Sequence, residues 1–290
     1  MSIKIENKHL SIRIKKKGAE LYSLFNKANQ TEYIWNGDPM FWGKTSPVLF
    51  PIVGTLKNNT YIFKDKTYNL SRHGFARDAV FELLKQTKTT VTFSLKANEE
   101  SLKVYPFNFE LQIKYELKKD ILNVTYTVRN AGNETMYFSI GAHPAFKIPL
   151  TPNSGYDDYL LEFDTEDDID HWPISPEGLI ETKSLPLLID SNKLKLTKNL
   201  FYGDALVLKN IPFKKILLHS TRDSYGLNFQ CEGFPYFGIW AAKDADFICL
   251  EPWCGIADSV NHNNHLESKE GINKIDKGES WKRTWSVHPF

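Results

Sequence analysis

Two histidines and one glutamate stand out as groups that can move protons. His73 lies in Arg72–Arg77, RHGFAR, and His143 in Gly141–Phe146, GAHPAF. Glu251 lies in Ile248–Gly255, ICLEPWCG, an otherwise apolar segment. Each histidine is flanked by small or turn-forming residues, and Gly74 lets a backbone come close to a ligand. His143 follows Met136–Ile140, which reads as a strand delivering it to a strand end, where a β scaffold presents chemistry. Glu251 shares a strand face with Phe247 and Cys249, so partial desolvation is expected. Desolvation raises a carboxyl pKa and makes a better base near neutral pH. Two imidazoles and one carboxylate form a metal-free acid–base set. Such a set suits reactions that move protons on and off oxygen without a covalent intermediate. Bland roles compete from spacing alone: a buried Glu251 paired with an arginine, and histidines that only support turns.

Strands must position these groups, because the dominant hydrophobic period is two. Ile3 and Ile5 alternate with polar residues, and Leu10, Ile12 and Ile14 do so after the turn-like Asn7–Lys8. Val91, Phe93 and Leu95 repeat the pattern, as do Phe109, Leu111, Ile113, Tyr115 and Leu117. After the polar Lys118–Asp120 come Leu122, Val124, Tyr126 and Val128. Each set places its apolar side chains on one strand face, and short turns imply antiparallel pairing. Only Asn98–Val104 offers a short helix, ended by Tyr105-Pro106. There is no βαβ alternation, no glycine-rich phosphate loop and no long Pro, Gly or Ser linker. The acidic stretch Asp164–Asp170 reads as a solvated loop. The expected fold is all-β: one large antiparallel β-sandwich over residues 1–290 with few short helices.

A chain of 290 residues, 41% hydrophobic and 24% charged, is ordinary for a globular protein. Lys plus Arg is 36 against 35 for Asp plus Glu. That balance, without a basic tract, argues against nucleic acid or an anionic membrane as partner. The N-terminus alternates from the start and lacks the apolar core of a signal peptide. No apolar run approaches the roughly 20 residues that span a bilayer. Three cysteines, Cys231, Cys249 and Cys254, leave no disulfide framework, and a reducing cytoplasm is the expected location. They lack CxxC spacing, and His262 and His265 lie in a polar loop, so no metal site and no cofactor are expected. Cys254 reads as an inert thiol rather than a reactive one. Trp42, Phe75, Trp240 and Trp253 lie beside turn residues, and aromatic faces pack well on the C–H faces of sugar rings.

Six segments in order resemble the aldose 1-epimerase, or galactose mutarotase-like, family, most closely its LacX-type branch. They are FWGKTSPVLFPIVG at 41–54, RHGFAR at 72–77, YPFNFEL at 105–111, FSIGAHPAF at 138–146, GDALVLKN at 203–210 and CLEPWCGIAD at 249–258. The resemblance implies a large antiparallel sandwich with an open sugar cleft and no cofactor. It implies interconversion of the α and β anomers of a hexose by ring opening and closure. Matched by motif, Glu251 is the base, His143 the acid, and His73 the second histidine near the ring oxygen. Asp204 matches an acidic residue that accepts hydrogen bonds from sugar hydroxyls. Many relatives carry Arg before the SP or AP dipeptide, where this chain has Lys44. Lys lacks the planar fork of Arg, so recognition there is expected to differ. Lys44, Arg72, Arg77 and Trp240 complete the candidate substrate-binding set.

Two alternatives stay open at this level. One is a hexose 6-phosphate 1-epimerase, with Lys44, Arg72 or Arg77 holding phosphate. The other is a non-catalytic carbohydrate-binding sandwich, which has no reason to keep both imidazoles with the carboxylate. A glycosidase accessory domain fits less well, because glycosidases need two carboxylates about the scissile bond. A neutral small-molecule sugar is the expected substrate, with Lys44 hydrogen-bonding one of its hydroxyls.

Overall fold

Alternating sequence builds the long strands. In Phe109–Lys118 each odd position from Phe109 to Leu117 is buried, and in Ile121–Asn130 each even position is. The two pair antiparallel from Phe109↔Asn130 to Lys118↔Ile121. The same one-face burial holds for Val91, Phe93 and Leu95 on the neighbouring strand Thr90–Lys96. The computed structural model describes residues 2–290.

These strands belong to a nine-stranded antiparallel sheet. Its order is Lys193–Lys195, Tyr159–Phe163, Lys215–Ser220, Gly226–Gln230, Ser280–Pro289, Ile121–Asn130, Phe109–Lys118, Thr90–Lys96 and Glu82–Gln86. A second sheet runs Leu206–Lys209, Tyr236–Trp240, Phe247–Cys254, Ile140–Ala142 and Val48–Leu49, with Ala145–Lys147 also on Phe247–Cys254. The two sheets meet through aromatic rings. Phe229 of the first lies 5.9 Å from Phe146 and 6.1 Å from Phe237 of the second, centroid to centroid. A four-stranded sheet from Ser2–Glu6 to Thr31–Glu32 adds its buried Ile and Leu residues to the same core. All ladders are antiparallel, as expected for the sandwich.

The short helix is Glu99–Val104. Asn98 caps it: its side chain accepts from Ser101 N–H at 2.8 Å, and Ser101 Oγ accepts from Asn98 N–H at 2.9 Å. Among the described residues, no helix is long and apolar enough to cross a membrane.

Two expectations need correction. Met136–Ile140 is not one strand. Met136–Phe138 pairs with Asn273–Ile275, while Ile140–Ala142 joins the second sheet. The break is Ser139, whose N–H donates to Pro51 O at 2.7 Å instead of to either ladder. The acidic stretch is a loop only as far as Asp168. Ile169–His171 forms a short strand against Leu185–Leu188, because Ile169 is buried.

Candidate active site

Strand register brings His143 and Glu251 together. On one edge of Phe247–Cys254, Gly141 faces Trp253 and Ala145 faces Cys249. The residue midway between them, His143, therefore comes opposite Glu251. His143-Pro144 interrupts the ladder there, so the imidazole reaches the carboxylate rather than lying in the sheet. His143 Nε2 is 3.3 Å from Glu251 Oε1. Glu251 lies mid-strand and is 1% exposed. On the other edge it faces Gly238 of Tyr236–Trp240.

Three aromatic rings fix the His143 imidazole. Trp42 stacks on it at 4.9 Å and 26°, and Trp240 meets it edge-on at 5.5 Å. Phe247 closes the group by packing on both tryptophans. Burial pushes the imidazole down to about 3 and raises the Glu251 carboxyl well above the ordinary range, with Arg72 opposing the rise. Both shifts favour a neutral carboxyl beside a neutral imidazole. The two groups stand within ion-pair distance of each other.

His73 is held by backbone. Gly54 N–H donates to its Nδ1 at 3.1 Å, and its own N–H donates to Gly54 O at 2.9 Å. An imidazole that accepts at Nδ1 and is neutral carries its proton on Nε2. Burial, reinforced by His143, Arg72 and Arg77, pushes His73 well down, which keeps it neutral. Arg72 Nε–H is directed at His73 Nε2 at 3.3 Å. Gly54 and Arg72 therefore compete to donate to the ring, and a neutral imidazole accepts from only one of them. The backbone pays for this arrangement: His73 and Gly74 both adopt φ of 69°. A side chain at Gly74 would meet Phe50 O at 2.3 Å, so only glycine fits the turn.

These groups line a cavity of about 530 Å³, within the range of small-molecule sites. Arg72, Arg77, Asp204, Trp240 and Trp253 line it too. Arg72 reaches Asp204 loosely, with Nη2 3.4 Å from Oδ1. Asp204 takes a φ of 110°, unusual outside glycine, and its Oδ1 accepts from Ala205 N–H at 2.7 Å. Four buried polar atoms of residues that line the cavity have no hydrogen-bond partner in the protein: Arg77 Nε, His143 Nδ1, Glu251 Oε2 and Trp253 Nε1. Each is shielded from solvent, and Arg77 Nε lies toward Asp78, 3.8 Å from its Oδ2.

Lys44 does not join the cavity lining. Its Nζ is 2.7 Å from Asp78 Oδ1, and the nearby Arg77 Nε is 3.8 Å from the other oxygen of that carboxylate. Asp78 follows RHGFAR directly, so the lysine closes on the back of that turn. Phe75 is also outside, packed among Phe50, Tyr105 and Phe109. His262 lies 3.7 Å from Asp258 in the buried Asp258–Lys269 pair, remote from any cluster with His265. Sequence reasoning missed Gly54, the Ile174–Ile180 segment and Ala257 as cavity walls. Gly54 alone carried a signal, ending the apolar run of FPIVG.

His143, Cys249 and Glu251 each bring one potential metal ligand within 4.8 Å of the others. Burial holds the Cys249 thiol well above its ordinary pKa. Cys254, pushed up to about 12 by burial, is inert.

Comparison with known proteins agrees with the architecture. The family model described as Aldose 1-epimerase matches residues 1–288. The chromosomal LacX protein of Lactococcus lactis subsp. lactis is 34% identical over 296 residues, 99% of both chains. A crystal structure of a galactose mutarotase related enzyme from Lactobacillus acidophilus superposes with a TM-score of 0.96 at 34% identity, covering 100% of this chain and 97% of that one. A galactose mutarotase-like protein from Lactobacillus casei superposes with a TM-score of 0.94 at 33% identity, covering 100% of each. With this fold, and with a family match over nearly its whole length, the chain belongs to the aldose 1-epimerase family of isomerases.

Proposed function

We propose that this protein interconverts the α and β anomers of a neutral hexose. The observation that carries the reading is the His143–Glu251 contact inside a cavity that Arg72, Asp204 and Trp240 also line. Glu251 takes the proton of the C1 hydroxyl, and His143 gives a proton to the ring oxygen. The C1–O5 bond breaks and the open-chain aldehyde forms. Rotation about C1–C2 presents the other face of the aldehyde. On closure Glu251 returns its proton to the carbonyl oxygen and His143 takes back the proton of the ring hydroxyl. No proton is gained or lost overall.

Ring opening converts a carboxylate and an imidazolium into the neutral pair that burial favours, so forming the ion pair is the uphill part of the step. Before reaction, the carboxyl proton crosses the 3.3 Å contact to the imidazole. A sugar hydroxyl donating to Glu251, with Arg72 nearby, favours that ionised carboxylate. His73 and Arg72 lie at the reacting end of the cavity, and Asp204 accepts from hydroxyls.

A 6-phosphate is the less favoured substrate. Arg72 and Arg77 line the cavity, but Asp204 beside Arg72 would face the phosphate, and Lys44 is held by Asp78. The test is exchange spectroscopy by NMR on glucose, galactose and their 6-phosphates at two salt concentrations. Faster exchange of the free sugars is expected. A preference for phosphates that fades with salt would select the phosphosugar reading. Tight sugar binding without exchange would select a binding module.

A further inference from the structure

Resting on the epimerase reading, we propose that His143, Cys249 and Glu251 form an inhibitory zinc site, which ties up the acid and the base of the reaction on one ion. One donor atom of each lies within 4.8 Å of the other two, and among the described residues no other such trio of His, Cys, Asp or Glu is found. Cys249 and Glu251 are two apart on Phe247–Cys254 and share a strand face. His143 joins them only through the register of Gly141 and Ala145, so spacing along the chain gives no sign of the site. His143 Nε2 and Glu251 Oε1 are 3.3 Å apart. Nitrogen and oxygen ligands about 2.0–2.1 Å from a tetrahedral ion stand about 3.3 Å from each other, so that edge already has zinc spacing. The edges to a sulfur ligand are about 3.5 Å, and small side-chain movements close the remainder.

Charge balance suits the buried setting. Cys249, Glu251 and His143 are all buried, and a lone charge among them is costly. Zinc with one thiolate, one carboxylate and one neutral imidazole carries no net charge. Binding releases one proton from the Cys249 thiol and one from the Glu251 carboxyl, so the site is neutral before and after. Glu251 Oε2 is buried without a hydrogen-bond partner in the protein, which leaves the carboxylate free to turn either oxygen to the ion. His143 and Glu251 line the cavity, which gives the ion its entry and leaves the fourth position to water. Cys249 completes the set from the interior, and its soft sulfur selects zinc over magnesium or calcium. With zinc in place the carboxylate no longer takes the C1 proton, and the imidazole nitrogen beside it carries metal instead of the proton for the ring oxygen.

The experiment titrates cobalt(II), then zinc, into chelator-treated wild-type protein and Cys249→Ser, reading absorption spectra and glucose anomer exchange by NMR on the same samples. Cys249→Ala, which buries no hydroxyl, repeats the test in case the serine impairs folding. Wild-type protein should show the intense visible bands of four-coordinate cobalt and a thiolate-to-cobalt charge-transfer band, both removed by zinc. Exchange should fall by about 10²–10⁴ as zinc fills the site, the range for a lost acid or base, and recover on chelation. Magnesium and calcium should leave it unchanged. The Cys249 variants should exchange at the wild-type rate without metal, lose the charge-transfer band, and need at least about tenfold more zinc for the same inhibition. A wild-type protein without the thiolate band, a band that survives in Cys249→Ser, or equal zinc inhibition of variant and wild type overturns the site. Anomer exchange without metal is a separate readout. Its absence sinks the epimerase reading, while the cobalt spectra still decide the metal site.

Discussion

Replacing Gly238 by alanine should disturb stability and catalysis through one indole ring. Trp253 lies flat across the sheet between two glycines on neighbouring strands. A Cβ at Gly238 would sit 2.4 Å from Trp253 Cζ2 and 2.5 Å from Cη2. On the opposite strand, a Cβ at Gly141 would sit 2.5 Å from Trp253 Cδ1. Ordinary carbon contacts begin near 3.5 Å, so the ring must shift by about 1 Å. Overpacking of this kind costs about 1–3 kcal/mol. Each kcal/mol lowers Tm by about 2–4 °C in domains of 150–250 residues, and somewhat less in a longer chain. The Trp253 ring and Glu251 line the same cavity, and Gly238 is the ladder partner of Glu251. A displacement of that size at a reacting group can cost about 10² in rate. Urea unfolding and NMR exchange measure the two effects. Trp253→Phe removes the carbons that clash, so the double variant Gly238→Ala with Trp253→Phe should be less destabilised than the two single changes summed, by about 1 kcal/mol or more. A Gly238→Ala protein with wild-type stability and exchange, or a strictly additive double variant, would refute the packing argument.

Other predictions concern the charged groups. His143→Asn should reduce the loss of stability on acidification. The folded-state value of about 3 lies below the unfolded 6.5, so the unfolded chain takes up the proton first and stability falls from pH 6.5 toward 3. The difference corresponds to about 5 kcal/mol as an upper bound, and urea titrations at pH 7 and pH 4 on both proteins check it. Equal acid losses in variant and wild type would contradict the buried neutral imidazole. Nitrogen-15 NMR should find His73 as the neutral Nε2–H tautomer, still unprotonated at pH 5. A protonated ring or the Nδ1–H form there would contradict Gly54 N–H as the donor that fixes the ring. Lys44→Met should leave sugar affinity within about twofold and cost at most about 1 kcal/mol of stability, the range for an exposed pair. A larger affinity loss would return Lys44 to the binding site.

Strand positions were legible wherever one face is buried and the other wet, as in Phe109–Lys118. There the two-residue period carries the information by itself. His73, His143 and Glu251 were legible as types in motifs, but their meeting was not. It depends on the register of Gly141 against Trp253 and of Ala145 against Cys249, which no local pattern encodes. Lys44 misled for the same reason, since its partner Asp78 is 34 residues away. The Ile174–Ile180 wall stayed hidden because a distant segment holds it, Ile180 N–H donating to Asp258 O. Ser139 broke an apparently continuous strand because its N–H finds Pro51 O, a contact between distant segments.

The most direct measurement is α/β anomer exchange of glucose and galactose by NMR, with wild-type protein and Glu251→Gln at equal concentration. Glutamine keeps the shape and neutrality of the buried side chain, so circular dichroism should not change. The wild-type protein should accelerate exchange well above the buffer rate. Glu251→Gln should lose about 10²–10⁴ of that acceleration, the range for a missing general base. A folded Glu251→Gln protein that exchanges at the wild-type rate, or a wild-type protein no faster than buffer, would contradict the account.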